Sequence, residues 1–360
     1  GHSEQPANAS ARARAEAAKN GGGNPSVEQV MAFLHGSGRK LLLTPETATD
    51  LTEENVAKLL RLTNAGSLTI PILQQLAQEL FSFSSWQELA CVGVKERYVA
   101  TLVEINKLAS WLTSSGGARV HFHPSVANQL CAKTAKTLFF QANAGLDTMN
   151  LIREVVKTKT EGSVFTSLAE LIKSVQQKHQ ELLQARATVF HSLKSAVEEN
   201  PLVAVENPIK MDNVLFLMNL LTENPPVATI LEYIDHVKQK NCPSFGSIVA
   251  AVTTVHRQYL EIKECWQKCH HLQEGAPEEQ ATNFLSWELT GKFFEQAGSK
   301  TPQFLSQLMQ HREFKGVDEI IEALRQEVQA RQEAFTFLQD SHNGILEMTD
   351  DFSQEWLEDQ

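Results

Sequence analysis

The sequence predicts an all-α fold, an elongated array of about four three-helix units (an α-solenoid or stacked helical bundles) with long coiled-coil-like third helices. Three observations predict it. A phrase recurs four times, as Phe83-Ser84-Ser85-Trp86-Gln87-Glu88, Phe165-Thr166-Ser167-Leu168-Ala169-Glu170, Phe245-Gly246-Ser247-Ile248-Val249-Ala250 and Phe314-Lys315-Gly316-Val317-Asp318-Glu319. After it, apolar residues return at alternating steps of four and three. Strand signals are almost absent, with only residues 41–43 and 119–123 readable as extended chain.

The phrase reads as a helix start. Ser85 and Ser167 can accept a hydrogen bond from an orphan N–H of the first turn, and Glu88 and Glu170 can answer it three residues on, which is a capping box. Gly316 replaces the serine in the fourth copy and Ala250 the glutamate in the third. The phenylalanine, two residues before the cap, is placed to pack on the first turn. From Phe to Phe the steps are 82, 80 and 69 residues, a period suited to a helical-repeat array.

The helices that follow carry seams. Val94, Tyr98, Thr101, Ile105, Leu108 and Leu112 form the first, with Thr101 its weak position; Ile248, Val252, Val255, Tyr259, Ile262, Trp266 and Cys269 form the third. Val317, Ile321, Leu324, Val328, Arg331, Phe335 and Leu338 form the fourth, with one charged interruption. A 3.5-residue apolar period marks helices packed at small crossing angles, expected here against other helices of the same chain, with an intermolecular coiled coil as the alternative. His179 stands where the second seam expects an apolar residue, and is read as a buried, hydrogen-bonded structural histidine.

In chain order, residues 1–25 read as a flexible tether, polar and rich in Ala and Arg, ending in Gly21-Gly22-Gly23-Asn24-Pro25. The start at Gly1-His2, without Met, reads as a processed or appended end. Residues 26–49 form a short helical cap and turn, with Ser26 and Gln29 as its capping pair. Gly36-Ser37-Gly38-Arg39-Lys40 is a basic turn that lacks phosphate-loop spacing. Helical units occupy 50–117, 118–200, 201–276 and 277–360, the last with an acidic tail. Their first helices start near Asn55, Ser125 to Asn128, Asn213 and Asn283. Their second helices follow Thr69-Ile70-Pro71, Asp147-Thr148, Asn224-Pro225-Pro226 and Thr301-Pro302, proline being preorganised for a first turn. The tail places Phe352, Trp356 and Leu357 on one helical face, which folds back on its own bundle or docks on a partner.

Composition bounds function. A net charge of −11 argues against a general polyanion binder, because phosphate binding needs clustered Lys and Arg. Five scattered cysteines, Cys91, Cys131, Cys242, Cys265 and Cys269, without a CxxC pair, suit reduced thiols in the cytoplasm or nucleus. No apolar run reaches the roughly 18 residues of a membrane span. Cys265, Cys269, His270 and His271 are the densest set of metal-ligand types, but Cys269 lies on a seam where a buried thiol packs well. His121 and His123 read as loop histidines, and the carboxylate pairs Glu53-Glu54, Glu198-Glu199 and Asp350-Asp351 as solvated. Nucleophile elbow, zinc-protease, dinucleotide and kinase motifs are absent from the sequence. No catalytic, cofactor-binding or metal residue is therefore assigned.

The expectation is a non-catalytic helical scaffold or adaptor that mediates protein–protein interactions within a larger intracellular assembly. The alternative is an RNA-binding helical-repeat protein using Lys133, Lys136, Arg153, Lys157 and Lys159, a basic stretch interrupted by Glu154. A metal-dependent all-α enzyme is the third reading.

Overall fold

The computed structural model describes residues 23–38, 42–159, 162–198, 208–238, 240, 242, 244–269 and 285–341. Expectations for residues 1–22, the links at 199–207 and 274–277, Asn283, His270, His271 and the acidic tail lie outside them. The all-α class holds: the described residues are mostly helical and contain no strand. Two isolated bridges, Leu43 with Phe83 and Phe122 with Phe165, occur where the sequence suggested extended chain. The chain divides into two compact units, residues 1–190 with 210–213, and residues 191–209 with 214–360.

In the first unit, α1 (Val27–Phe33) starts at a closed capping box between Ser26 and Gln29. After α2 (Pro45–Thr49), α3 (Glu53–Thr63) is capped by the Thr52 hydroxyl and carries Glu53 and Glu54 in its first turn, beside the positive end of the helix. Then come α4 (Thr69–Gln78), a turn of helix at Trp86–Glu88, a π-helical stretch at Leu89–Lys95, and α5 (Glu96–Thr113). The unit continues with α6 (Ala132–Ala142), α7 (Thr148–Thr158) and α8 (Leu168–Glu198) as far as Phe190. The helix expected from Ser125 to Asn128 is only one turn, Pro124–Ala127. The longer helix starts after Cys131, whose N–H is taken by the Thr134 hydroxyl. Two apolar clusters fill this unit. One gathers Val30, Val56, Ile72, Phe83 and Val94; the other gathers Leu108, Leu112, Phe139, Ile152, Phe165 and Val175.

One turn recurs in detail. Gly66, Gly145 and Gly298 have φ of 57°, 54° and 54°, each opens a 3-10 turn, and each carbonyl accepts from the hydroxyl of the threonine three residues on, at 2.9, 2.6 and 2.7 Å. Thr69, Thr148 and Thr301 are buried and start the next helix. Such a φ costs a glycine nothing and other residues a good deal.

The starts of the long helices differ from expectation by one residue. Ser85 and Ser167 do accept the N–H of Glu88 and Glu170. The glutamates, however, reach back to the N–H of Ser84 and Thr166, at 2.8 Å in both cases. Glu319 does the same to Lys315 N–H without any serine. Phe83 N–H donates to Leu42 O and Thr44 N–H to Phe83 O; Phe165 repeats both bonds with His121 and His123.

The remaining helices are α9 (Met211–Leu220), α10 (Val227–Lys238), α11 (Phe245–Cys269), α12 (Trp287–Ala297), α13 (Thr301–His311) and α14 (Val317–Ser341). α11 begins three residues earlier than the phrase implies. Ala250 has no side-chain acceptor, and Ser244 and Ser247 instead cap each other's N–H. All seven seam residues of α11 are buried. In α14 the seam holds through Leu324, then loosens until Leu338 is 48 % exposed. Trp266, Phe293, Phe304, Leu305 and Leu324 form the core among these helices.

Candidate functional site

Within the first unit, four segments direct polar side chains into one buried cluster. Gln75 lies on α4 and Glu79 caps its end; Arg97 and Thr101 lie one turn apart on α5; Asp147 caps the start of α7; His179 and Arg186 lie two turns apart on α8. Arg97 donates to both oxygens of Glu79, at 3.1 and 2.7 Å, and Arg186 to both oxygens of Asp147, at 2.7 and 2.9 Å. Forked guanidinium–carboxylate pairs are strong and fix orientation as well as charge. A ring nitrogen of His179 and one oxygen each of Glu79 and Asp147 lie within 4.8 Å of one another. Gly145 brings the backbone against this group. A Cβ there would stand 3.1 Å from Glu79 Oε1 and 3.3 Å from Gln75 Oε1, on top of the unfavourable φ.

His179 is 2 % exposed, and its Nε2 has no hydrogen-bond partner. The sequence reading of a hydrogen-bonded structural histidine is therefore corrected at that atom. Burial lowers the affinity of the imidazole for a proton, against the pull of Asp147 and Glu79. Gln75 Oε1 and Thr101 Oγ1 are also buried without a partner. Buried polar atoms are almost always satisfied, and with Trp86 Nε1 four in this unit are not, so they call for an explanation. No protein-family model, curated protein or solved structure matches the chain.

The same helix α5 has an inverted distribution of side chains. Inward it carries Arg97, Thr101 and Glu104, and Glu104 Oε1 accepts the Met149 N–H of α7's first turn at 2.8 Å. Outward, Val99, Leu102 and Val103 are 57, 42 and 48 % exposed, and Val92 on the preceding π-helical stretch is 52 % exposed. Spacings of 7 and 3 or 4 residues align them as one strip along the helix.

The residues that the sequence singled out are placed as follows. Cys265 Sγ lies 3.9 Å from Cys269 Sγ and donates to Pro302 O; burial, then Cys269, pushes its thiol up to about 12, so Cys265 stays a protonated packing group. His123 is exposed and hydrogen-bonded to Ser125 within its own turn. Lys133, Lys136, Arg153 and Lys157 are exposed, whereas Lys159 is held by Glu170, Val164 O and the face of Phe165. The polar cluster was not anticipated. Its sequence signals are Thr101 and His179, which interrupt their apolar seams, and the pair Asn-Ala-Gly at 64–66 and 143–145, the second of which marks the turn at Gly145.

Proposed function

We propose that the chain is a non-catalytic helical adaptor, one subunit of a larger cytoplasmic or nuclear assembly. It is built as repeats of helix, helix and long helix over 50–117, 118–200, 201–276 and 277–360, after a tether (1–25) and cap (26–49). The recurring glycine–threonine turn and the paired phenylalanine bridges support the repetition. The observation that carries the function is the exposed strip Val92, Val99, Leu102 and Val103, on a helix whose inward Arg97 and Glu104 are already tied to their neighbours. Its spacing fits an amphipathic helix of a partner protein laid along α5. The partner's apolar seam would cover the valines and leave Lys95, Glu96 and Asn106 at the rim.

The test compares the tagged full chain with its Val99→Lys/Leu102→Lys variant, both recovered from nuclease-treated lysate and quantified by mass spectrometry. A discrete set of proteins that binds the parent and not the equally stable variant is expected. Equal recovery by both forms overturns the assignment of the strip. Loss of all partners on nuclease treatment moves the RNA-binding reading ahead.

A further inference from the structure

We propose that Glu79, Asp147 and His179 form a binding site for one divalent first-row transition-metal ion, with Gln75 as a further oxygen donor. The donors come from three separate helical segments, and their ligand atoms already lie within 4.8 Å of one another. What separates this group from an ordinary acidic cluster is the pair of acceptors without a donor. His179 Nε2 is buried and unpartnered, and so is Gln75 Oε1, which shares the Gly145 contact with Glu79 Oε1. Gln75 Oε1 is an acceptor, and so is His179 Nε2 in the tautomer protonated at Nδ1, the form in which a cation satisfies both atoms.

One imidazole among carboxylate and amide oxygens suits zinc, manganese or ferrous ions. It does not suit calcium, which takes six or more oxygens, or a soft ion that wants sulfur. Ligand bonds of about 2.0–2.2 Å require the three atoms to close by about an ångström. Gly145 and the two arginines limit where the carboxylates can go. Arg97 and Arg186 are positioning residues: ligating carboxylates are commonly held by such outer partners. They are also competitors, because their charge already neutralises Glu79 and Asp147. Asp147, whose side chain is 20 % exposed, gives the approach from solvent.

The experiment titrates Zn²⁺ and, separately, Mn²⁺ into chelator-stripped full-length chain by calorimetry, with metal content measured after desalting. One bound equivalent is expected. Binding should weaken at least tenfold in His179→Gln and in Asp147→Asn and stay unchanged in Cys265→Ser. Circular dichroism identifies any variant that fails to fold, and Asp147→Asn, at the less buried position, carries the test if His179→Gln does. Absence of bound metal, indifference to both His179→Gln and Asp147→Asn, or loss of binding in Cys265→Ser overturns the site.

Discussion

Removing the Arg97 guanidinium tests whether the polar cluster holds the first unit together. Arg97→Met keeps most of the aliphatic stem and deletes both bonds to Glu79, of 3.1 and 2.7 Å. The Glu79 carboxylate is then left at the end of α4 without its counter-charge, and both side chains are at most 10 % exposed. Breaking one member of a buried pair costs about 3–5 kcal/mol. Residual solvent contact reduces this to about 2–3 kcal/mol. The assay is native-state hydrogen exchange on peptides covering residues 69–78 and 96–113. At roughly 1.4 kcal/mol per factor of ten, their exchange should quicken about 30- to 150-fold. Adding Glu79→Gln should return at least about 1 kcal/mol, because an unpaired amide is cheaper to bury than an unpaired carboxylate. Exchange within twofold of the parent in Arg97→Met, or strictly additive losses in the double variant, would refute the reasoning.

Ile262→Asp and Leu324→Asp each put a charge into a fully buried position and should cost about 3 kcal/mol or more; thermal melts matching the parent would remove those residues from the core. Ser167→Ala deletes the acceptor of the Glu170 N–H and should cost about 1 kcal/mol; an unchanged midpoint in urea would show that the remaining Glu170 bond to Thr166 N–H suffices. His256 is buried between Tyr233 OH at 3.1 Å and Thr222 Oγ1 at 3.4 Å, and burial lowers its pKa below the ordinary 6.5. Above about pH 6.5 the imidazole is neutral whether folded or not, and its contribution to stability is complete. Below that the unfolded chain takes up a proton that the folded one refuses, so stability falls until the folded pKa is reached. His236 adds the same sign. The drop in melting temperature from pH 7.5 to 5.5 should therefore be smaller in His256→Gln than in the parent, and equal drops would contradict the assignment.

The local signals in the sequence were legible where backbone groups at an element's end force a residue type. Ser26, Ser85 and Ser167 cap because first-turn N–H groups need acceptors, and those caps are present. The α11 seam was legible because every one of its positions is buried against helices of the same unit. The glycine–threonine turn was missed, although Ala-Gly followed by Thr three residues after the Gly stands at 65, 144 and 297. Glycine between helices reads only as a linker until its φ and the threonine bond are known. The third phrase misplaced its cap because Ser247 resembled Ser85 and Ser167, while Ser244, one residue before the phenylalanine, already supplied an acceptor.

The polar cluster and the outer strip escaped notice for one shared reason. Periodicity assigns faces by asking where the apolar residues fall, and on α5 they fall on both sides. Leu108 and Leu112 point inward, with Arg97, Thr101 and Glu104 on the same side; Val99, Leu102 and Val103 point outward. A seam count therefore finds its apolar residues and passes over the charges between them. Those charges have partners only in three dimensions: Glu79 is 18 residues from Arg97, and Met149 is 45 from Glu104. The buried polar groups fix how α5 sits against α4 and α7, since a rotation about its axis would leave carboxylates and a guanidinium unpaired in the interior. That constraint keeps the valine strip outward. In a helix held by apolar packing alone, the same residues would gain by turning in, roughly 1.5–3 kcal/mol for each fully buried side chain. The inner cluster thus maintains the outer surface, and loosening it should weaken the partner binding proposed above without touching a single residue of the strip.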